Sequence, residues 1–284
     1  MSAFPRTDVG GVSASRMLIG SNWFLGFSHC TAAKDAFLHE HFADHQRIAD
    51  IIEVFFRAGV DTLIANISND LFYHAVLEAE QRTGVEAVVI STPTLPTTKR
   101  TALDGFDTGE VSRILDLEAE RGAAFCMPHT TTTDQMVDRC SREVRQMAPV
   151  CAAIRERGMI PGLSTHLPET IIYADQTGLD VATYVCIYNL LGFLMPLEVD
   201  WTQRIIHGAK NPVLTIKPLA AGQVRPLQGL TFAWNSLRDQ DMVAVGCMTP
   251  REAAEVIELS LDVLARRPSQ LELQTTRSKS SVMA

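Results

Sequence analysis

Eight short runs rich in apolar and β-branched residues recur along the chain: RMLIGSN, DTLIANI, EAVVIST, AAFCMPH, IPGLSTH, ATYVCIYN, VLTIKPL and DMVAVGC. Longer amphipathic stretches such as HQRIADIIEVFFRAGV, NDLFYHAVLEAEQRTGV and PREAAEVIELSLDVLA lie between them. A run that is apolar at nearly every position suits a strand buried on both faces, which a parallel sheet flanked by helices provides. Gly59, Gly84, Gly122, Gly158 and Gly178 each fall just before a run, where glycines that end helices belong. Thr249 and Pro250 read as the cap and first residue of the last helix. Eight successive βα units predict a (β/α)8 TIM barrel whose eighth strand pairs with its first. An open doubly wound sheet is the competing arrangement, but no GxGxxG follows the first run to favour it.

A chain of 284 residues could form one such barrel or two average domains. No linker or shift in composition divides the units, so one domain over residues 1–266 is expected, followed by a polar, aperiodic and mobile tail over 267–284. The net charge of −8 argues against nucleic acid or anionic membrane as a partner and leaves a small-molecule substrate. Six cysteines without CxxC spacing fit free thiols in a reducing compartment, and Cys126, Cys140, Cys151 and Cys186 read as core thiols. With no apolar leader and no run of spanning length, a cytoplasmic location is expected.

Barrels of this kind place their chemistry at the carboxyl ends of the strands. That rule selects Asn22, Asn66, Thr92, His129, Thr165, His166, Asn189, Lys217 and Cys247. His129 ends the run FCMPH before the polar TTTTD, where the chain is expected to leave the core. It could ligate a metal with His29 and His166, act as a metal-free acid or base, or merely cap its strand. A divalent ion, zinc, manganese or iron, is the cofactor the first reading implies. His166 follows Thr165, so one of the two points away from the lumen. Lys217 could form a Schiff base, hold an anion or pair with a carboxylate. Asn22, Asn66 and Thr165 are candidates to orient substrate hydroxyls. Trp23, Phe24 and Phe27 either form an apolar lid over the mouth or a platform for a sugar or aromatic ring, or bury themselves against the eighth helix or a partner subunit. Cys247 is a candidate nucleophile. The cluster HEHFADH is expected to open the first helix, with His41 and His45 on one face.

Several runs carry a resemblance. GGVSASRMLIGSN resembles the opening hairpin and first strand of the aldo-keto reductase superfamily, IPGLSTH its fifth strand, and YNLL, TIKPLAAG and VAVGCMTPREAAEVI its sixth, seventh and eighth. The resemblance implies a reductase-type barrel with a short N-terminal hairpin. It also implies an Asp, Tyr, Lys and His site around NAD(P)H, which this chain matches at His129 only. The Asp position falls on Ile64 and the Lys position on Pro93, and no Tyr takes the third place. The family's cofactor contacts fall on Val185, Ile216, Ala254 and Val256. These departures lead to the expectation of a non-redox lyase, isomerase or hydrolase acting on a small polar substrate such as a sugar or hydroxy acid, with NAD(P) unused. His129, His166 and Lys217 would be its catalytic groups and Asn22, Trp23, Asn66 and Thr165 its substrate contacts. One alternative is an NAD(P)H-dependent oxidoreductase with an altered proton relay, in which His129 protonates the alkoxide. The other is a noncatalytic ligand-binding or assembly subunit.

Overall fold

A computed structural model describes residues 3–97, 105–269 and 271. It opens on the hairpin that the resemblance implies, β1 (Arg6–Val9) antiparallel to β2 (Val12–Ser15). The turn tucks under the barrel: Gly10 has φ 60°, and a Cβ there would lie 2.9 Å from that of Ala182, so only glycine permits the approach.

The barrel follows as β3 (Met17–Gly20), β4 (Thr62–Ala65), β5 (Val88–Ser91) and β6 (Ala123–Cys126). A two-residue hairpin, β7 (Val137–Asp138) with β8 (Glu143–Val144), decorates the next crossover. The fifth barrel strand is split into β9 (Ile160–Pro161) and β10 (Leu163–Ser164), and β11 (Tyr184–Ile187), β12 (Val213–Ile216) and β13 (Met242–Val245) complete the set. All barrel pairings are parallel, and β13 pairs with β3 at Val243 and Met17, as the eight-unit reading requires. The split sits at Gly162, where a Cβ would come within 2.8 Å of both Met127 Cε and Thr183 O. There β9 pairs with β6 while β10 pairs with β11.

The helices are α1 (Ala32–His41), α2 (His45–Arg57), α3 (Asp70–Thr83), α4 (Thr108–Glu120), α5 (Thr130–Thr133), α6 (Met147–Glu156), α7 (Glu169–Thr177), α8 (Val199–Gly208), α9 (Pro226–Ser236) and α10 (Pro250–Leu264). All five glycines expected at helix ends turn left-handed, with φ from 68° to 80°. Thr249 caps α10 by accepting the Glu252 N–H, with Pro250 in the first turn.

Strand alternation sends side chains to two cores. Leu18, Ile90, Phe125, Val185, Leu214 and Ala244 fill the lumen, closed at its amino end by Val9 and Ala14 of the hairpin. Met17, Ile19, Leu63, Val89, Val213 and Val243 face outward into the helix layer. Burial on both faces is what made the strands legible as continuous apolar runs.

Three expectations change here. HEHFADH does not open one helix: His39 and His41 end α1, Asp44 caps α2 by accepting the Gln46 N–H, and His45 begins α2. A second helix therefore precedes the expected one, because Asp44 offers a better cap than a continued turn. TTTTD does not leave the core but winds into α5, with Thr130, Thr132 and Thr133 buried. Cys140 is exposed, while Cys126, Cys151 and Cys186 are buried. The expected polar tail lies, apart from residues 267–269 and 271, outside the described residues. Among the described residues no helix is long and apolar enough to cross a membrane.

Candidate active site

A cavity of about 710 Å³ opens at the carboxyl ends of the barrel strands. Its walls come from the loop after β3 (Ser21, Asn22, Trp23, Ser28, His29), the start of α5 (His129, Thr131), His166, and the loop after β12 from Lys217 to Gly222. Ile64, Val185, Ile216 and Ala244 form its apolar side.

The loop after β3 folds inward. Phe24 is its anchor, buried against Phe42 and Phe72. Ser28 donates both its N–H and its hydroxyl to Asp35, which ties the loop to α1 and holds that carboxyl below its usual range. The next residue, His29, takes φ 58°, a left-handed conformation uncommon outside glycine. His29 Nε2 lies 2.8 Å from Lys217 Nζ and 3.0 Å from Asn22 Nδ2. Two donors meeting at one nitrogen make it the acceptor, so the ring is neutral with its proton on Nδ1. Burial, and then the neighbouring Lys217, lower its pKa in agreement.

Lys217 leaves β12 at φ 63°. Burial alone lowers its pKa to about 8. Among the described residues no carboxylate forms an ion pair with it, and its one hydrogen-bond partner is His29. His29, Lys217 and Ala221, three of the non-glycine residues with positive φ, all line this cavity. Backbone strain of that kind gathers at functional sites.

His129 performs two tasks at once. Its Nδ1 accepts the Thr131 N–H at 3.3 Å as the cap of α5. In the neutral ring the proton is then on Nε2, a free donor. Burial lowers its pKa, opposed by Asp134 and reinforced by Lys217. His166 is pushed down to about 4, chiefly by burial and then by Lys217. At neutral pH Lys217 is thus the cation among these four groups, and the three imidazoles are neutral.

The alternation at strand five resolves in favour of His166. Thr165 is fully buried and donates to Asp134 Oδ1 at 2.5 Å, so it faces away from the cavity and is no substrate contact. Asp134 also accepts from Thr130 Oγ1 at 2.7 Å and from the His166 N–H. This carboxylate, which strand-end reasoning missed, clamps the loops after β6 and β10 together. Its signal was the D that ends TTTTD.

Asn22, Trp23, His29, Thr92, His129, His166 and Lys217 are brought together, whereas Asn66, Asn189 and Cys247 are not. Asn66 is spent locally, accepting the Ser68 hydroxyl at 2.6 Å. Asn189 is buried and braces its own loop through Phe193. Cys247 is buried, and burial raises its pKa well above the ordinary thiol value, so it is no nucleophile. Phe27 is exposed rather than folded over the mouth. The three histidines line one wall system, but among the described residues no group of His, Cys, Asp or Glu is arranged to hold a metal ion. The nitrogen of His29 nearest the site is occupied by Lys217 and Asn22, and Nδ1 of His129 by Thr131.

No protein-family model and no curated protein matches this chain. Solved structures do resemble it. A Pseudomonas aeruginosa protein described as an aldo-keto reductase superposes with a TM-score of 0.64 at 15% identity, over 92% of this chain and 94% of that one. An aldo/keto reductase from Brucella melitensis gives 0.59 at 10%, over 93% and 99%. An aldo-keto reductase from Bacillus halodurans in its holo form gives 0.56 at 10%, over 90% of each chain. The fold is therefore the aldo-keto reductase barrel, as the resemblance implied.

These neighbours overturn two expectations. A non-redox lyase, isomerase or hydrolase rested on missing tetrad residues, yet the three neighbours named above, which superpose over nine-tenths of this chain or more, are described as aldo-keto reductases. The expectation that NAD(P) is unused and a divalent metal serves instead falls with it, since the neighbours are described as reductases and among the described residues the histidines form no metal centre. That expectation had weighed the loss of named residues and not the Lys217–His29 contact, which joins two loops far apart in sequence.

Proposed function

We propose that this chain is an NAD(P)H-dependent oxidoreductase that reduces a small carbonyl compound, with its proton relay rebuilt around Lys217. The observation that carries the reading is the Lys217 amine, sunk in the barrel mouth and 2.8 Å from the accepting nitrogen of His29. The apolar side of the cavity, Val185, Ile216 and Ala244, fits a flat nicotinamide ring next to these donors. The far end of a dinucleotide must rest on residues other than those of the resemblance. Val256 is buried, and the Glu252 carboxylate already accepts the Met248 N–H at 2.7 Å at the start of α10. A bound reduced nicotinamide supplies a hydride; the rest of the chemistry belongs to the chain.

Charge develops on the carbonyl oxygen during reduction, and a positioned acid that neutralises it accelerates such a step by roughly 10²- to 10⁴-fold. Lys217, with a pKa of about 8, is protonated at neutral pH and still acidic enough to give that proton up. The ammonium becomes an amine as the oxygen becomes a hydroxyl. His29 orients Nζ, and Asn22 holds His29. His129, kept neutral, cannot deliver a full proton without becoming an anion, so its Nε2–H serves as a hydrogen-bond donor to the same oxygen. His166 and Trp23 line the same cavity, and Trp23 offers the substrate an apolar contact. The six unpaired thiols suit a reducing compartment, and a cytoplasmic location is part of this reading.

The test is a fluorescence titration with NADPH and with NADH, followed by absorbance assays of nucleotide oxidation with a panel of aldehydes and ketones. Saturable binding and turnover that falls at least 100-fold in Lys217→Met support the reading. No saturable binding of either nucleotide overturns it.

A further inference from the structure

Resting on that reading, we infer that the carbonyl substrate carries a carboxylate on the carbon next to its carbonyl group, as a 2-oxo acid does, and that Lys217 holds both oxygens. The argument is a count of donors and charges in one cavity. An ammonium has three N–H bonds, and among the described residues the one hydrogen-bond partner of the Lys217 amine is the neutral His29 Nε2. Two N–H bonds on one nitrogen remain, and they reach oxygens on adjacent atoms, the geometry of a carbonyl beside a carboxylate. A cation taken out of water is costly unless an anion meets it, and among the described residues no carboxylate pairs with this one. Asp134, the carboxylate on the cavity wall, has both oxygens engaged by Thr130, Thr165 and the His166 N–H. Asp35 accepts the Ser28 N–H and hydroxyl, and its charge acts on His29 rather than on Lys217.

The other end of the barrel shows how this protein treats a cation that no ligand reaches. There Arg238 pairs with the fully buried Asp241 at 2.7 Å, and Arg16 donates to the Asp241 carbonyl. A counter-ion is built in at the closed end and left out at the open one. The other titratable groups that feel Lys217 are the neutral imidazoles of His29, which accepts from it, and of His129 and His166, none of which carries negative charge. Asp134 acts on His129 and His166, and among the described residues no carboxylate is paired with the Lys217 amine, so an anion on the ligand completes the site.

The probe is oxamate, a carboxylate beside an amide carbonyl that is not reduced, with neutral ethyl oxamate as its control. Calorimetric titrations at pH 7 use the full chain, alone and saturated with NAD⁺ or NADP⁺. Oxamate should bind saturably and at least tenfold more tightly than the ester. Lys217→Met should weaken oxamate at least tenfold and the ester by a smaller factor, with its melting curve confirming that the variant is folded. Equal binding of acid and ester overturns the inference, as does oxamate binding that survives Lys217→Met or oxamate that fails to bind in every state. Inorganic phosphate bound as tightly as oxamate also overturns the carboxylate assignment. The nucleotide-oxidation assay keeps the two readings apart. Reduction of neutral ketones but not of 2-oxo acids leaves the reductase standing and removes this inference. Oxamate binding without turnover of any carbonyl compound does the reverse.

Discussion

Replacing Lys217 with methionine should make the protein more stable while removing its activity. The fall of the Lys217 pKa from 10.5 to about 8 corresponds to roughly 3 kcal/mol by which the fold disfavours the charged amine. Partial exposure at the cavity mouth screens some of that, and the hydrogen bond to His29 is lost, so a net gain of about 1–2 kcal/mol is expected. For a chain of this size that is roughly 2–8 °C in Tm. The sign follows from linkage. Below pH 8 the amine is protonated in both folded and unfolded chains, and the penalty is present in full. Between about 8 and 10.5 the unfolded chain binds the extra proton, so wild-type stability rises with pH and the penalty fades. Paired urea denaturation curves at pH 7 and pH 10 read this directly: the variant should lead at pH 7 and the gap should close by pH 10. A variant that is less stable than wild type at pH 7, or a gap that does not narrow, would refute the claim that the lysine sits there uncompensated.

Other perturbations test separate parts of the argument. With Lys217 as the acid, kcat/KM should hold near neutrality and fall about tenfold per pH unit above 8; a profile set instead near pH 4 would point to His166. Glu118 is fully buried, donates nothing, accepts from Ser91, and has an oxygen with no partner, so burial raises its pKa. Wild-type stability should therefore decline as pH rises from about 4.5 toward that raised value, and Glu118→Gln should abolish the decline in chemical denaturation at pH 5 and 7. Gly162→Ala should cost about 1–3 kcal/mol of stability, because its Cβ would press on the Thr183 carbonyl at 2.8 Å; circular dichroism melts measure it.

Much of the scaffold was legible because strands buried on both faces must be apolar throughout, and helix ends need a residue that tolerates positive φ. Those are local demands, written within a few residues of one another. The break at Gly162 was not legible, since it arises from Met127 and Thr183, which neighbouring strands bring against it. Among the site residues, the strand-end rule chose Asn22 and Asn66 on equal terms. The structure separated them only through loop conformation: one loop folds inward to His29, and the other spends its asparagine on Ser68.

Order along the chain determined that this protein would be an eight-unit barrel with His129 and Lys217 at its mouth, because periodicity and strand ends are properties of contiguous sequence. Whether those groups had partners was decided by the tertiary structure alone. Lys217 and His29 are 188 positions apart, and they meet because barrel closure sets β13 between β12 and β3, bringing the loop after β3 within reach of the loop after β12. Their charge states follow from that meeting and from burial, and no spacing in the sequence encodes either.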